Sequence, residues 1–398
     1  MAYQNRYQDR GKKLSKDVIR VFDDPTQIDG AAWNALLAQQ SRPTPFMRWQ
    51  YLAALHASGS AVASTGWAPR FITVHRAGQL VAAAPAYLKT HSYGEYVFDW
   101  AWADAYERHG LRYYPKLLVA VPFTPVPGSR LMALDGPARH MLLAALAQLT
   151  KQSQASSIHL LYFADDEAPA VESQRWLARQ GVQFHWTQDE AAPWPDFSAF
   201  LASLQREKRK KIQQERRKVI EAGVVFSTHQ GTEINPALWR FFHHCYTLTY
   251  RAHHSTPYLT PAFFEAMAAT MPEHWLMFVA RRDGAPIGVS LVAIDPARGE
   301  AYGRYWGCTE YLPCLHFDAC YYQPLQWCMA NGYRRFEGGA QGEHKMARGL
   351  LPVGTRSAHW LAHPEFARAV QDFLQREGQG VASYVDELRE HSPFKAAG

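Results

Sequence analysis

Two stretches of the chain carry the same alternation of apolar runs and turn positions. Residues 71–89 read as a strand, a turn at Arg76-Ala77-Gly78, and a second strand over 80–88. Residues 276–294 repeat the pattern, with the turn at Arg282-Asp283-Gly284 and the second strand over 287–294. An R-x-G turn between two apolar, β-branched runs predicts a hairpin in each place. Both hairpins are followed by a third strand, a helix and another strand. In the first copy these are predicted at 114–121, 138–152 and 158–163, and in the second at 301–307, 317–331 and 333–337. The first copy adds a helix near 167–180 and a strand at 182–186; the second adds a strand near 356–361. A hairpin, a third strand, a crossover helix and a parallel strand make an α/β unit, here written twice.

Between the copies, residues 197–222 form a helical run with no internal Gly or Pro, ended by Gly223. Pro193 and Pro195 around Trp194 mark a linker before it. The expected division is a flexible N-terminus over 1–17, a first domain over 18–196, the interdomain helix over 197–222, and a second domain with a C-terminal helix over 223–398. A chain of 398 residues exceeds the size at which one core stops growing, so two domains are expected on length as well.

Composition changes this picture little and charge changes it more. An apolar share of 47% with 13% aromatics supports packed cores rather than disorder. The net charge of +6 is concentrated: between Arg206 and Lys218 there are eight basic and two acidic residues, and without them 34 of each sign remain. The basicity belongs to one helix. Such a helix is either a solvated face or a contact for a polyanion, with Arg209, Lys210, Arg216 and Arg217 as the phosphate-binding candidates. No apolar run approaches the roughly 20 residues that span a bilayer, and the N-terminus lacks the apolar stretch of a signal peptide. The five cysteines lie in the C-terminal part and form no C-x-x-C pair. They read as reduced thiols, not metal ligands, in a cytoplasmic protein.

Several motifs carry a family likeness: F-F-H-H-C-Y-T-L-T-Y (241–250), H-S-T-P-Y-L-T (254–260), Y-G-R-Y-W-G-C (302–308), L-H-F-D-A-C-Y-Y-Q (315–323) and F-E-G-G-A-Q-G-E-H-K (336–345), with V-P-F-T-P-V-P-G-S-R-L (121–131) in the first copy. Together they resemble the Fem-like branch of the GNAT N-acyltransferase superfamily, described as peptidoglycan biosynthesis proteins or predicted N-acyltransferases. The resemblance implies an α/β fold of two tandem GNAT-like domains with mixed, splayed sheets, and acyl transfer from a carrier to a primary amine. Acyl-CoA is the donor favoured by the superfamily, as a substrate and not a permanently bound cofactor. The basic helix is similar to that of the Fem aminoacyltransferases, which implies tRNA binding through residues 206–218 as the alternative. The acceptor would be a small-molecule or peptide amine. A non-catalytic module that binds a peptidoglycan precursor or RNA is the remaining alternative.

The chemistry expected of these motifs is acid–base work at an amine. A base must take the proton of the attacking ammonium and an acid must protonate the leaving group. Asp318 or Glu343 serves as base, with Tyr321 as acid and His344 beside them; alternatively Asp318 only N-caps the helix that follows. Gly338, Gly339 and Gly342 let backbone approach a ligand, and Gln341, Lys345 and Arg348 add polar groups around them. The same stretch also reads as a charged surface turn. Arg335-Phe336-Glu337-Gly338-Gly339-Ala340 matches the letters of a pyrophosphate loop, but it follows the fifth strand of the copy and Pro352 leaves room only for a short helix. The family motifs add Arg304, His316, Gln323 and Glu337 as substrate-binding candidates, with Phe123, Thr124 and Arg130 contributed by the first copy. An oxyanion formed during transfer would be held by backbone N–H groups where the sheet splays.

Overall fold

The computed structural model describes residues 17–339 and 342–395. It divides into two compact units, 1–181 with 355–381 and 182–354 with 382–398. The sequence places the boundary between contiguous domains. The chain instead passes from one unit to the other three times, so 355–381 group with the first unit rather than the second.

The first unit opens with β1 (Val18–Phe22), α1 (Gly30–Leu37) and α2 (Trp49–Ala57), then β2 (Trp67–Pro69), β3 (Phe71–Arg76), β4 (Gln79–Ala84) and β5 (Ala86–Lys89). The expected hairpin is present: β3 and β4 pair antiparallel around the turn, where Ala77 and Gly78 both have positive φ. The chain continues through α3 (Trp100–Arg108), β6 (Lys116–Val119), β7 (Met132–Ala133), α4 (Gly136–Gln152), β8 (Ser157–Leu161), α5 (Ala168–Ser173) and β9 (Leu177–Thr187). The strands β6 and β8, joined through α4, are parallel neighbours, as a crossover connection requires. One face of α4 (Leu142, Leu143, Leu146, Leu149) packs with Ile72, Val74 and Leu117 in a shared core.

In the second unit the run 197–222 is two helices, α6 (Phe197–Ser203) and α7 (Arg206–Glu221). The break is made by a segment distant in sequence. Backbone at 203–205 leaves the helix to bond with 393–395, through Gln205 N–H to the Pro393 carbonyl and Lys395 N–H to the Ser203 carbonyl. Then follow β10 (Val224–Gln230), α8 (Pro236–Ala252), α9 (Pro261–Thr270), and the antiparallel ladder of β11 (Trp275–Arg282), β12 (Ala285–Asp295) and β13 (Glu300–Cys308). The helix expected at 317–331 is three pieces: α10 (Leu315–Phe317), a π-helical turn over Asp318–Tyr322, and α11 (Gln323–Ala330). β14 (Arg335–Glu337) then pairs parallel to β13. The chain ends with β15 (Leu351–Leu361) and α12 (Pro364–Glu390). From Ser357 to Leu361, β15 pairs with β8 of the first unit's fold. Both units thus follow the GNAT order of hairpin, third strand, crossover helix and parallel strand. Among the described residues no helix is long and apolar enough to cross a membrane.

Candidate active site

In the second unit β13 and β14 part soon after they meet. These strands pair only over Glu300–Arg335, Ala301–Phe336 and Tyr302–Glu337, yet β13 continues to Cys308. A π-helical turn follows β13 through α10, and such turns are rare and recur at functional sites. Its residues Tyr321 and Tyr322 join the apolar core of the unit beside Phe336 and Leu325.

A second segment meets it. Residues Glu343–Arg348 form a short 3-10 helix held between Gly342 (φ 118°) and Gly349 (φ 82°), conformations that side chains rarely adopt. The Tyr321 hydroxyl lies 3.2 Å from His344 Nε2. The His316 ring is 5.8 Å from that of Tyr321, and Phe317 is 5.9 Å from His344. The Arg348 guanidinium stacks 3.6 Å over Phe317, and its Nη1 donates to the His344 carbonyl at 2.7 Å. Residues 23 or more apart in sequence therefore converge on one constellation of His316, Tyr321, His344 and Arg348.

Burial tunes these groups. It pushes the His316 imidazole down to about 4; His344 is exposed, and partial desolvation with the cations Arg348 and Lys345 lowers it. Both rings are thereby favoured as neutral bases. Burial also pushes the Lys345 ammonium down to about 8; its Nζ donates to the Gly339 carbonyl at 3.0 Å. Tyr321 is raised by burial and so stays a phenol. Asp318 is raised by burial, while Arg216 and Gln323 oppose the shift.

Asp318 does not cap a helix. Its Oδ1 accepts from Gln323 Nε2 at 2.9 Å and lies 3.7 Å from Arg216 Nε. Glu343 is exposed, on the rim of a cavity of about 550 Å³ that is also lined by Lys208, His344, Tyr384, Glu387 and His391. Glu337 is on the other face of its strand: Phe336 packs with Tyr321 and Tyr322, so its neighbour points away. The Glu337 Oε2 lies 3.9 Å from His185 Nε2. Arg304 donates to the Tyr305 hydroxyl at 3.1 Å. Gln341 lies outside the described residues.

The glycine pattern at 335–340 leads into a 3-10 helix of six residues. It lacks the long helix whose N-terminus a pyrophosphate loop uses. A Cβ on Gly338 would meet Leu350 Cδ2 at 2.5 Å, so this glycine also serves close packing.

Phe123, Thr124 and Arg130 belong to the first unit and are buried in it. Thr124 Oγ1 bonds the Pro122 carbonyl at 2.9 Å and lies 3.2 Å from the Tyr51 hydroxyl. The Arg130 guanidinium donates to the Val126 carbonyl at 2.5 Å.

On α7, Lys210 and Arg217 are exposed and Arg209 is half-buried. Arg216 is different. Besides Asp318 it bonds Gln326 at 3.1 Å and stacks on Phe197 at 4.9 Å, so its charge is engaged inside the unit. Among the described residues no group of three or more His, Cys, Asp or Glu side chains is arranged to hold a metal ion.

Sequence reasoning passed over two sets of residues. Glu215 is buried and receives both Arg348 and Tyr322. A signal for it existed, since residues 212, 215 and 219 fall on one face of α7 and two of them are Ile212 and Val219. In the first unit the fully buried Lys116 donates to Ser92 and Glu95 at 2.8 Å each and to Asp99. Tyr113 bonds Asp99 at 2.6 Å, and His159 bonds Ser157 and His359 at 2.8 Å each. A lysine opening the apolar run at 116–121 was the available sign.

Residues 24–396 match the FemAB-like family model, described as peptidoglycan biosynthesis/recognition. No curated protein matches the chain. Among solved structures, FemX is 11% identical, with 87% of this chain and 99% of that one covered and a TM-score of 0.51. L-PGS from Bacillus licheniformis is 10% identical, covering 87% and 97%, with a TM-score of 0.51. A conserved protein of unknown function from Bacteroides thetaiotaomicron VPI-5482 is 8% identical, covering 86% and 99%, with a TM-score of 0.52. At these identities the likeness is one of fold.

Proposed function

The chain belongs to the FemAB-like family, and on that premise we propose that it is an N-acyltransferase acting in the cytoplasm, with acyl-CoA as donor and a small-molecule or peptide amine as acceptor. The observation that carries this reading is the Tyr321–His344 pair beside an open cavity, 3.2 Å apart. Acyl transfer needs one group to take a proton and another to give one, within reach of each other. The acceptor nitrogen attacks the acyl carbonyl, a C–N bond forms, and the bond from carbon to the donor's sulfur or oxygen breaks. The imidazole of exposed His344, lowered by partial desolvation and by the cations Arg348 and Lys345, takes the proton released by the amine. Tyr321, kept as a phenol by its burial, returns a proton to the leaving group. Glu343 sits on the cavity rim and draws in the cationic amine, while buried Asp318 orders Gln323 and Arg216.

A second donor, aminoacyl-tRNA, is favoured by one specific feature, the exposed Lys210 and Arg217 on α7. Mass spectrometry of material copurifying with the protein separates the two: coenzyme A or an acyl-CoA supports the first and tRNA the second. Thermal denaturation with each added in excess is the complementary measurement, since a ligand bound by the native state raises Tm. The acyltransferase reading fails if neither shifts Tm and neither acetyl-CoA nor aminoacyl-tRNA acylates any amine offered.

A further inference from the structure

We propose that Glu215, an acid on the helix that reads as a polycation, is the positioning residue of this site. The inference rests on the site described above but not on the identity of its substrates.

Glu215 is the meeting point of the two segments that build the site. From the 3-10 helix, Arg348 Nη2 donates to both of its carboxylate oxygens, at 3.0 and 2.9 Å. From the π-helical turn, the Tyr322 hydroxyl donates to the same carboxylate. Arg348 carries the restraint onward, since its Nη1 donates to the His344 carbonyl at 2.7 Å and its guanidinium lies on the Phe317 ring. The side chain of His344 then bonds Tyr321. One buried carboxylate thereby fixes the backbone on which the imidazole sits and the turn on which the phenol sits. Carboxylate–guanidinium pairing of this kind has strict geometry, which is what a positioning role needs. The neighbouring Arg216 makes a reciprocal pair with Asp318, so α7 offers one charge of each sign to the π-helical turn and its partner segment. Gln at 215 would keep the size but not the function. It has one acceptor oxygen, and its amide N–H₂ would face the Arg348 and Tyr322 donors.

The test needs no substrate. Histidine-labelled wild type and E215Q are titrated by NMR, with the His344 resonance assigned by its absence in H344Q. Amide hydrogen exchange of 343–349 is measured in parallel, against the β11–β12 ladder as an internal control. The expected result is a downward shift of the His344 midpoint, because the nearby Glu215 charge that raises it is lost. Exchange over 343–349 should rise about tenfold or more, with the ladder unchanged. E215D, which keeps the carboxylate, should restore part of both. If Glu215 only filled space, the isosteric Gln would leave both readouts at wild-type values, and that result overturns the proposal. Should E215Q fail to fold, E215Q/R348Q removes the two charges together; wild-type exchange over 343–349 in that folded protein overturns it equally. A protein that passes these tests yet transfers no acyl group would refute the proposed function alone.

Discussion

The two units share the succession of hairpin, third strand, crossover helix and parallel strand, and they differ at the point where the third strand hands over to the crossover helix. In the first unit the chain leaves β6 into a buried loop. Phe123 is there in a left-handed conformation, packed on Trp67, and Glu167 accepts the backbone N–H groups of Arg130 and Leu131. In the second unit the chain leaves β13 into the π-helical turn, and ionisable groups from 316–322 and 343–348 face one another beside a cavity. The first unit also breaks its hairpin strand at Pro85, so that β4 and β5 enter different sheets, whereas β12 runs on for eleven residues. Proline brings no N–H to a ladder. Both units bury ion pairs. Lys116 of the first unit is sealed among Glu95, Asp99 and Ser92, while Glu215 and Arg348 of the second adjoin groups that reach solvent. A shared fold therefore says little about where chemistry resides.

The largest expected effect tests whether the two buried pairs are equivalent as structure. Lys116→Met strands the carboxylates of Glu95 and Asp99, and Glu215→Ala strands Arg348. Each should lower stability by roughly 3–5 kcal/mol, the usual penalty for leaving a buried charge without its partner. Chemical denaturation measures both. A loss below about 1 kcal/mol in either would mean that water or a rearranged neighbour already serves the stranded charge.

Next in size is an opposite dependence on pH. Burial, partly offset by Lys116, pushes the Glu95 carboxyl up to about 7, and burial does the same to Glu167. Their folded-state values lie above the unfolded one, so the stability they contribute is complete below about 4.5 and is lost as pH rises to 7. Lys345 has the reverse sign: its value falls from 10.5 to about 8, so stability is lost as pH falls through 8 and is complete only above 10.5. Each window should be worth roughly 1–3 kcal/mol. Denaturation midpoints at pH 4.5, 7, 8 and 10 should show both slopes. E95Q should reduce the acidic one to the part that Glu167 contributes, and K345M should flatten the alkaline one. If E95Q leaves the acidic slope intact, the first unit's cluster does not titrate as its burial demands.

These windows were not legible in the sequence, and the reason is physical. The hairpins could be read because apolar alternation and an R-x-G turn are local properties, and both appear where expected around Gly78 and Gly284. The convergence of L-H-F-D-A-C-Y-Y-Q with F-E-G-G-A-Q-G-E-H-K followed from a family likeness, not from spacing. Partners chosen across long separations were invisible: Glu215 lies 133 residues from Arg348, and Lys116 lies 21 from Glu95 and 17 from Asp99. Around Glu215 the charge run outweighed the faint signal that its apolar i−3 and i+4 neighbours gave. The helix break at Leu204 was equally hidden, because it depends on backbone at 393–395.

A smaller effect should be the same in both units. Gly78 and Gly284 have φ of +83° and +80°, and a Cβ on either would meet no atom within 4 Å. The cost of Ala at each is therefore backbone strain alone, about 1 kcal/mol. G78A and G284A should lower stability by matching amounts in chemical denaturation. A difference larger than about 0.5 kcal/mol would show that the two turns, alike in sequence, are not alike in strain.

The smallest expected effect on stability comes from α7, and there the comparison is within one helix. Lys210 and Arg217 are exposed and Arg209 is half-buried, whereas Arg216 is held by Asp318, Gln326 and Phe197. Gln is a good helix former, so R209Q/K210Q/R217Q should change stability by less than about 0.5 kcal/mol. R216Q should cost more, about 1 kcal/mol, since it removes the cation nearest a buried carboxylate. Binding should divide the residues along the same line. If tRNA is the donor, its affinity falls with salt at a log–log slope near −0.9 for each duplex phosphate neutralised. The triple variant should then flatten that slope by roughly 2–3, while R216Q leaves it nearly unchanged because its charge is already engaged. If acyl-CoA is the donor, the triple variant keeps the coenzyme A shift in Tm and no tRNA slope exists to flatten. A triple variant that loses the coenzyme A shift while staying folded would place these cations at the donor site, against the solvent-facing role that their exposure gives them.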